Sequence, residues 1–285
     1  MASDVSLAVD ERERRSSGAR LRRKLNSVST RRAAVSIVVA LLLWQLGATG
    51  PSWLGMRIPI LGASPSPVAV AQAWSHLVAD PNYWRSWYLS VLRVLFGFAS
   101  ATLVGAPFGL LLAVNPTFRA ISYPAFELLR PIPPLAWVPA SIIFWPTQEL
   151  SIAFVIFIGA FYTIVINVLG GAEAIDVRLI QAARSMGASR GNIFWRLILP
   201  GVAPSIRVGM EVAIGITWEV VVAAEMISSG SGGAGGGLGF FIWNSYIGGS
   251  YPNIVVGMIS IGIAGYASST LVRIAAGRLT PWQRA

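Results

Sequence analysis

Cysteine is absent from this chain of 285 residues, histidine occurs once, at His76, and lysine once, at Lys24. No disulfide and no cysteine-based metal site can form, and the redox compartment leaves no trace. A single histidine excludes most His-based catalysis, and Lys24 stands in a polar tail, so an intramembrane enzyme would have little chemistry to use. Charge is scarce as well: 12% of residues, against about 25% in a water-soluble globular domain. A Walker sequence is missing throughout. The glycine-dense run Gly230 to Gly239 lacks the Lys-Ser/Thr that ends a phosphate-binding loop and reads as a flexible outer loop. Catalytic, metal-binding and cofactor-binding residues are therefore expected to be none.

Apolar residues are abundant instead, at 54%, with a mean hydropathy of +0.63. A spanning helix needs about 20 apolar residues. Six candidates are counted: Ala34–Ala48, Leu89–Val114, Ala120–Trp145, Leu150–Leu169, Ala203–Ile227 and Ile254–Ile274. The fold class this implies is an all-α polytopic membrane protein. The organisation predicted is a disordered basic cytoplasmic tail over 1–32, a first span over 33–49 and an extracytoplasmic segment over 50–88. A transmembrane core over 89–275 and a short cytoplasmic tail over 276–285 follow.

The formal charge of +10 fits the positive-inside bias of such a protein rather than nucleic-acid binding. Nine of the 22 basic residues fall within 12–32. Arg119, Arg178, Arg184, Arg190, Arg196, Arg273, Arg278 and Arg284 sit at expected cytoplasmic positions, so both termini are predicted to be cytoplasmic. Binding of a polyanion or of anionic lipid by the tail is the other reading of its charge.

Within the outer segment, Ser66-Pro67 is a good helix start. Val68, Ala71, Trp74 and Val78 then recur at helical steps. That amphipathic helix suits either the membrane surface or the docking of an external protein. Trp84, Trp87 and Tyr88 are interface anchors. Ala101, Gly105 and Gly109 in the second span, and Gly257, Gly262 and Gly265 in the sixth, give small faces for close helix packing.

The third span is broken. Between Arg130 and Pro139 stand Pro131, Pro133, Pro134 and Pro139, with Trp137 among them, and no continuous helix survives that density. Non-helical backbone at membrane depth is tolerated only inside protein or beside water, which makes this stretch a candidate piece of a permeation path. The fifth span carries Arg207, Glu211, Glu219 and Glu225. Arg207 and Glu211 are one turn apart and predict an ion pair. Glu219, beside Trp218, has no suitably spaced cation in its own helix and is expected to face protein or water, with Arg130 or Arg93 as partner.

Between the fourth and fifth spans lies a polar, arginine-bearing loop: Gln181-Ala182-Ala183-Arg184-Ser185-Met186-Gly187-Ala188, then Leu197-Ile198-Leu199-Pro200 after a further eight residues. A short helix ending at Gly187, a second over Arg190 to Leu197, and a span opened by Pro200 are expected. Leu179, Ala182, Ala183 and Met186 share one face of the first helix; Arg178, Gln181 and Ser185 share the other.

This loop resembles the cytoplasmic coupling loop of bacterial ABC importer permeases, with Gln181 where that family usually has Glu. The stretch Leu129 to Pro139 resembles permeases for nitrate, sulfonate, taurine and bicarbonate, and so does Ala224-Glu225-Met226 with Leu238-Gly239-Phe240. The resemblance covers about residues 85–275 and implies a permease subunit in the bacterial inner membrane. A small oxyanion, nitrate first and sulfonate, taurine or bicarbonate next, would be delivered by an extracytoplasmic solute-binding protein.

It further implies a homodimer in the lipid bilayer with two cytoplasmic ATP-binding subunits that hold ATP-Mg. The ATPase-coupling residues would be Gln181, Ala182, Ala183, Arg184, Gly187, Ala188, Leu197, Leu199 and Pro200. The translocation path would involve Arg130, Pro131, Pro133, Pro134, Trp137, Trp218, Glu219 and Glu225. The competing expectation is an ion-coupled secondary transporter using Glu219 and Glu225.

Overall fold

The computed structural model describes residues 28–54, 64–228 and 236–278. Most of the expected basic tail, most of the glycine-dense run and the last residues of the chain, Arg284 included, lie outside them. Among the described residues there is no strand. Two compact units form, one reaching to Gln72 and the other running from Ala73 onward.

In the first unit, α1 (Val28–Leu54) begins several residues before the expected Ala34 and continues beyond Ala48. Its apolar stretch Val35–Thr49 exposes aliphatic side chains on all sides, Ile37, Leu42, Leu43 and Leu46 among them. A helix apolar all round belongs in lipid. Ser66 opens α2 (Pro67–Leu77) by accepting from the Ala69 amide at 3.3 Å. On this helix Val68 and Ala71 are exposed, Trp74 is half-buried and Val70 is the buried residue, while Val78, exposed, lies just past its end.

The second unit is a helical bundle. It comprises α3 (Pro81–Val114), α4 (Pro116–Leu129), a 3-10 turn (Pro134–Trp137), α5 (Val138–Phe144), α6 (Gln148–Glu173), α7 (Val177–Ser185), α8 (Arg190–Ile193), a π turn (Phe194–Ile198), α9 (Leu199–Ser228), α10 (Leu238–Ile247) and α11 (Tyr251–Ala276). Three helices are long and apolar enough to cross a membrane: α3, α6 and α11. Helix α9 has the length, at 30 residues, but carries Arg207 and three carboxylates. The third expected span, 120–145, is not one helix but α4, the 3-10 turn and α5 in series.

Helix α6 is the centre of the bundle. Ile152, Val155, Ile156, Ala160, Ile164, Val165 and Val168 are essentially inaccessible, and α3 and α9 flank it. Lipid tails are as apolar as these side chains, so close packing rather than burial from water must hold the helices together. Small residues make that possible. A Cβ on Gly109 of α3 would lie 2.8 Å from Val168 Cβ, and one on Gly209 of α9 would lie 2.8 Å from Asn167 Cβ. On α11, Gly257 packs against Ile242 and Phe241, whereas Gly262 faces open space.

Proline sets the remaining breaks. Asp80 accepts from the Asn82 amide at 2.9 Å ahead of α3, and Asn115 from the Phe118 amide at 3.0 Å ahead of α4. Each of these helices carries proline at its first position, where the missing N–H has no intrahelical acceptor to satisfy.

Candidate functional site

The first site is the knuckle between α6 and α9. Asp176 caps α7, its carboxylate accepting from the Arg178 amide at 2.8 Å. Gly187, at φ +80°, turns the chain out of the helix, and the Ala188 amide donates back to the Ala183 carbonyl at 3.0 Å. This is a left-handed C-terminal stop that glycine adopts without a side-chain clash. Ser189 then accepts from the Asn192 amide at 3.3 Å to start α8.

The expected second helix does not stop at Leu197. α8 passes through the π turn straight into α9, the Leu199 amide reaching the Phe194 carbonyl. Pro200 thus lies in the first turn of α9 rather than at a break. A proline ring clashes with the carbonyl four residues before it, and the wider π turn is a known way to relieve such crowding within a continuous helix.

Of the apolar face expected on α7, Leu179, Ala182 and Met186 are exposed, Met186 to 81%, while Ala183 is half turned inward beside Ile180. Val177 and Trp195 add to the uncovered surface. Gln181, Arg178, Arg184, Arg190 and Arg196 are all exposed around it. Ile193 is buried at 5% within this apolar, arginine-rimmed knob; Leu197, Leu199 and Pro200 are half-buried at its base.

The second site is the helix break. Arg130, Pro131 and Pro133 are exposed, Pro134 and Trp137 half-buried. Arg130 pairs with Glu127 at 3.4 Å on the same surface, not with Glu219. A Cβ on Gly159 of α6 would meet Val220, Ile216 and Pro134 within 3.5 Å, so the break lies at the level of residues 216–220 of α9. Glu219 is at that level. It is exposed, and among the described residues no hydrogen bond or ion pair reaches it. Trp218 points the other way: it is buried at 4% and donates from Nε1 to Ser268 Oγ of α11 at 2.8 Å. Arg207 and Glu211 form the expected pair at 2.9 Å.

The third feature, at the end of the bundle remote from the knuckle, was only partly legible in the sequence. Arg93 of α3 is buried and donates from Nη1 to Glu225 Oε1 of α9 at 2.8 Å, from Nε to Glu149 Oε2 of α6 at 2.8 Å, and from Nη1 to the Gly236 carbonyl. A further bond joins Arg93 Nη2 to Glu149. Ser90 Oγ donates to the Glu225 carboxylate at 2.8 Å and accepts from the Leu238 amide at 2.8 Å; the Gly239 amide donates to Glu225 Oε2 at 2.9 Å.

Glycine is required here. A Cβ on Gly237, at φ +117°, would run into the Glu225 carboxylate, and one on Gly239 into the Val222 carbonyl. The end of the glycine-dense run, Gly236 to Gly239, is therefore a fastened segment, not a free loop. Arg93 serves Glu225 and Glu149 instead of Glu219. The sequence offered Arg93 as a cation for α9 and Glu225 near Gly239, but nothing local that joined them to one another or to Ser90 and Glu149.

The chain is similar to several known proteins. A family model described as binding-protein-dependent transport system inner membrane component matches residues 105–285. The nitrate import permease protein NrtB of Leptolyngbya laminosa is 33% identical over 257 residues, 87% of each chain. The taurine transport system permease protein TauC of Escherichia coli is 33% identical over 203 residues, 71% of this chain and 72% of that one. The bicarbonate transport system permease protein CmpB of Synechococcus elongatus is 34% identical over 183 residues, 64% of each. An inward-facing structure of the MetNI methionine ABC transporter superposes on 71% of this chain and 98% of its own, with a TM-score of 0.56 at 20% identity, a likeness of fold. With helices and no strand among its described residues and an uncovered knuckle between two long helices, the chain belongs to the family of inner-membrane permease components of binding-protein-dependent ABC importers.

Proposed function

We propose that this chain is the membrane subunit of an ATP-driven importer for a small oxyanion of the nitrate, sulfonate or taurine, and bicarbonate kind. In this reading it works as a homodimer with two cytoplasmic ATP-binding subunits and an extracytoplasmic solute-binding protein, and both termini lie in the cytoplasm. ATP-Mg is held and hydrolysed by the separate subunits. The observation that carries the reading is the α7–α8 knob: Leu179, Met186 and Trp195 are uncovered at the head of a continuous α8–α9 rod. Apolar side chains ringed by arginines suit insertion into a groove on another protein, and a rod that runs unbroken into the bundle can carry the motion of that partner to the helix break.

Solute would pass between two copies, along the exposed stripe of α9 and the break at Arg130–Pro134. Glu225 lies away from such a path, inside a single subunit. Its carboxylate already accepts from Arg93, Ser90 and Gly239, which ties it to the structure of one subunit and argues against Glu225 as an ion-coupling site. Expression with the neighbouring ATP-binding subunit tests the reading. The native chain should co-purify with it and take up solute only with ATP, and Leu179→Glu with Met186→Glu should abolish association while the permease stays folded. Solute uptake by the purified chain alone would overturn the assignment.

A further inference from the structure

Resting on that reading of the path, the charge inventory of the bundle says something about the solute. Among the described residues, the arginines well inside the long helices are taken: Arg93 by Glu225 and Glu149, and Arg207 by Glu211. Arg130, at the break, is held by Glu127. Arg85 and Arg273 lie in the outer turns of α3 and α11. Among the described residues, Glu219 alone is left without a counter-charge in the middle of a long helix.

A carboxylate at this place should face water or protein rather than lipid. Val208, Val212, Gly215 and Glu219 follow one another at helical steps along the exposed face of α9. An ionised carboxylate in hydrocarbon is costly enough that such groups face protein or water. Gly215, one turn away, leaves open space where any side chain would stand, with nothing within 4 Å of a Cβ built there. The helix break comes to the same level, through Pro134 beside Ile216 and Val220.

We infer that Glu219 selects for solutes bearing an ammonium group, so that the chain carries an amine-containing oxyanion, a zwitterion such as an aminoalkyl sulfonate, in preference to a bare inorganic anion. Carboxylates lining a pore attract cations and repel anions. Two copies facing each other would double that field, and the arginine at the break, Arg130, is already held by Glu127. The ammonium end of a zwitterion meets Glu219, and the open space beside Gly215 gives it room.

The test is equilibrium binding to the complex of the full chain with its ATP-binding subunits in lipid nanodiscs, without the solute-binding protein. The probes are taurine, isethionate (the same sulfonate with hydroxyl in place of amine) and nitrate. Taurine should bind at least about tenfold more tightly than the other two. Glu219→Gln should bring the three together, and Glu219→Asp should keep the preference. Equal binding of taurine and isethionate, no binding of taurine, or a preference unchanged in Glu219→Gln overturns the inference. So does dissociation of the dimer in Glu219→Gln, which would show that the carboxylate pairs with the second copy. A complex that hydrolyses ATP and imports solute yet shows no amine preference sinks this inference alone; failure to bind an ATPase sinks the function beneath it.

Discussion

Arg93 and Glu225 stand 132 residues apart in sequence and meet at 2.8 Å in the interior, exposed to 6% and 2% respectively. Through them α3, α6, α9 and the start of α10 are fastened at one end of the bundle. A buried pair of this kind is satisfied only while both partners and their extra hydrogen bonds are present.

Arg93→Ala and Glu225→Ala should therefore each destabilise the bundle by about 3–5 kcal/mol, since each leaves an uncompensated buried charge. The double substitution Arg93→Met with Glu225→Leu should recover much of that loss. Thermal unfolding in detergent, followed by size-exclusion chromatography, reads the difference; equal losses for single and double variants would contradict the geometry.

Helix packing gives a pair of opposite expectations. Gly109→Val forces a side chain into Val168 of α6 and should cost about 1–3 kcal/mol by overpacking. Gly170→Ala, with nothing within 4 Å of the new methyl, should raise stability by about 0.5–1 kcal/mol through helix propensity. The same unfolding assay separates them by the sign of the change in Tm.

Trp218 serves as a strut between α9 and α11 through Ser268. Trp218→Phe should lower stability by about 1 kcal/mol, the net worth of one hydrogen bond, with solute preference unaltered. A changed ratio of taurine to isethionate binding would place the indole on the path instead.

At the knuckle, Gly187→Val puts a β-branched residue at φ +80°, a conformation that costs an L-residue about 1–2 kcal/mol. The turn should loosen and co-purification of the ATP-binding subunit should fall, with little change in the melting of the bundle. Unimpaired association would show that the turn tolerates other backbone conformations.

Much of this was written in local sequence. Hydropathy decides that the helices lie in lipid, because bilayer thickness is a length requirement that a linear count can meet. Ser66-Pro67, Asp176, Gly187 and the prolines near 131–139 act through neighbours a few residues away, so their caps and breaks follow from spacing. The Arg207–Glu211 pair is legible for the same reason, being one helical turn apart. The partners of Arg93, the inward turn of Ala183 and the isolation of Glu219 are another matter. A long side chain can reach any of several helices, and which carboxylate it meets depends on how α3, α6 and α9 are rotated and stacked. Small residues such as Gly109, Gly159 and Gly209 set that stacking by admitting a neighbour at one place and not another, a choice made only when the helices touch.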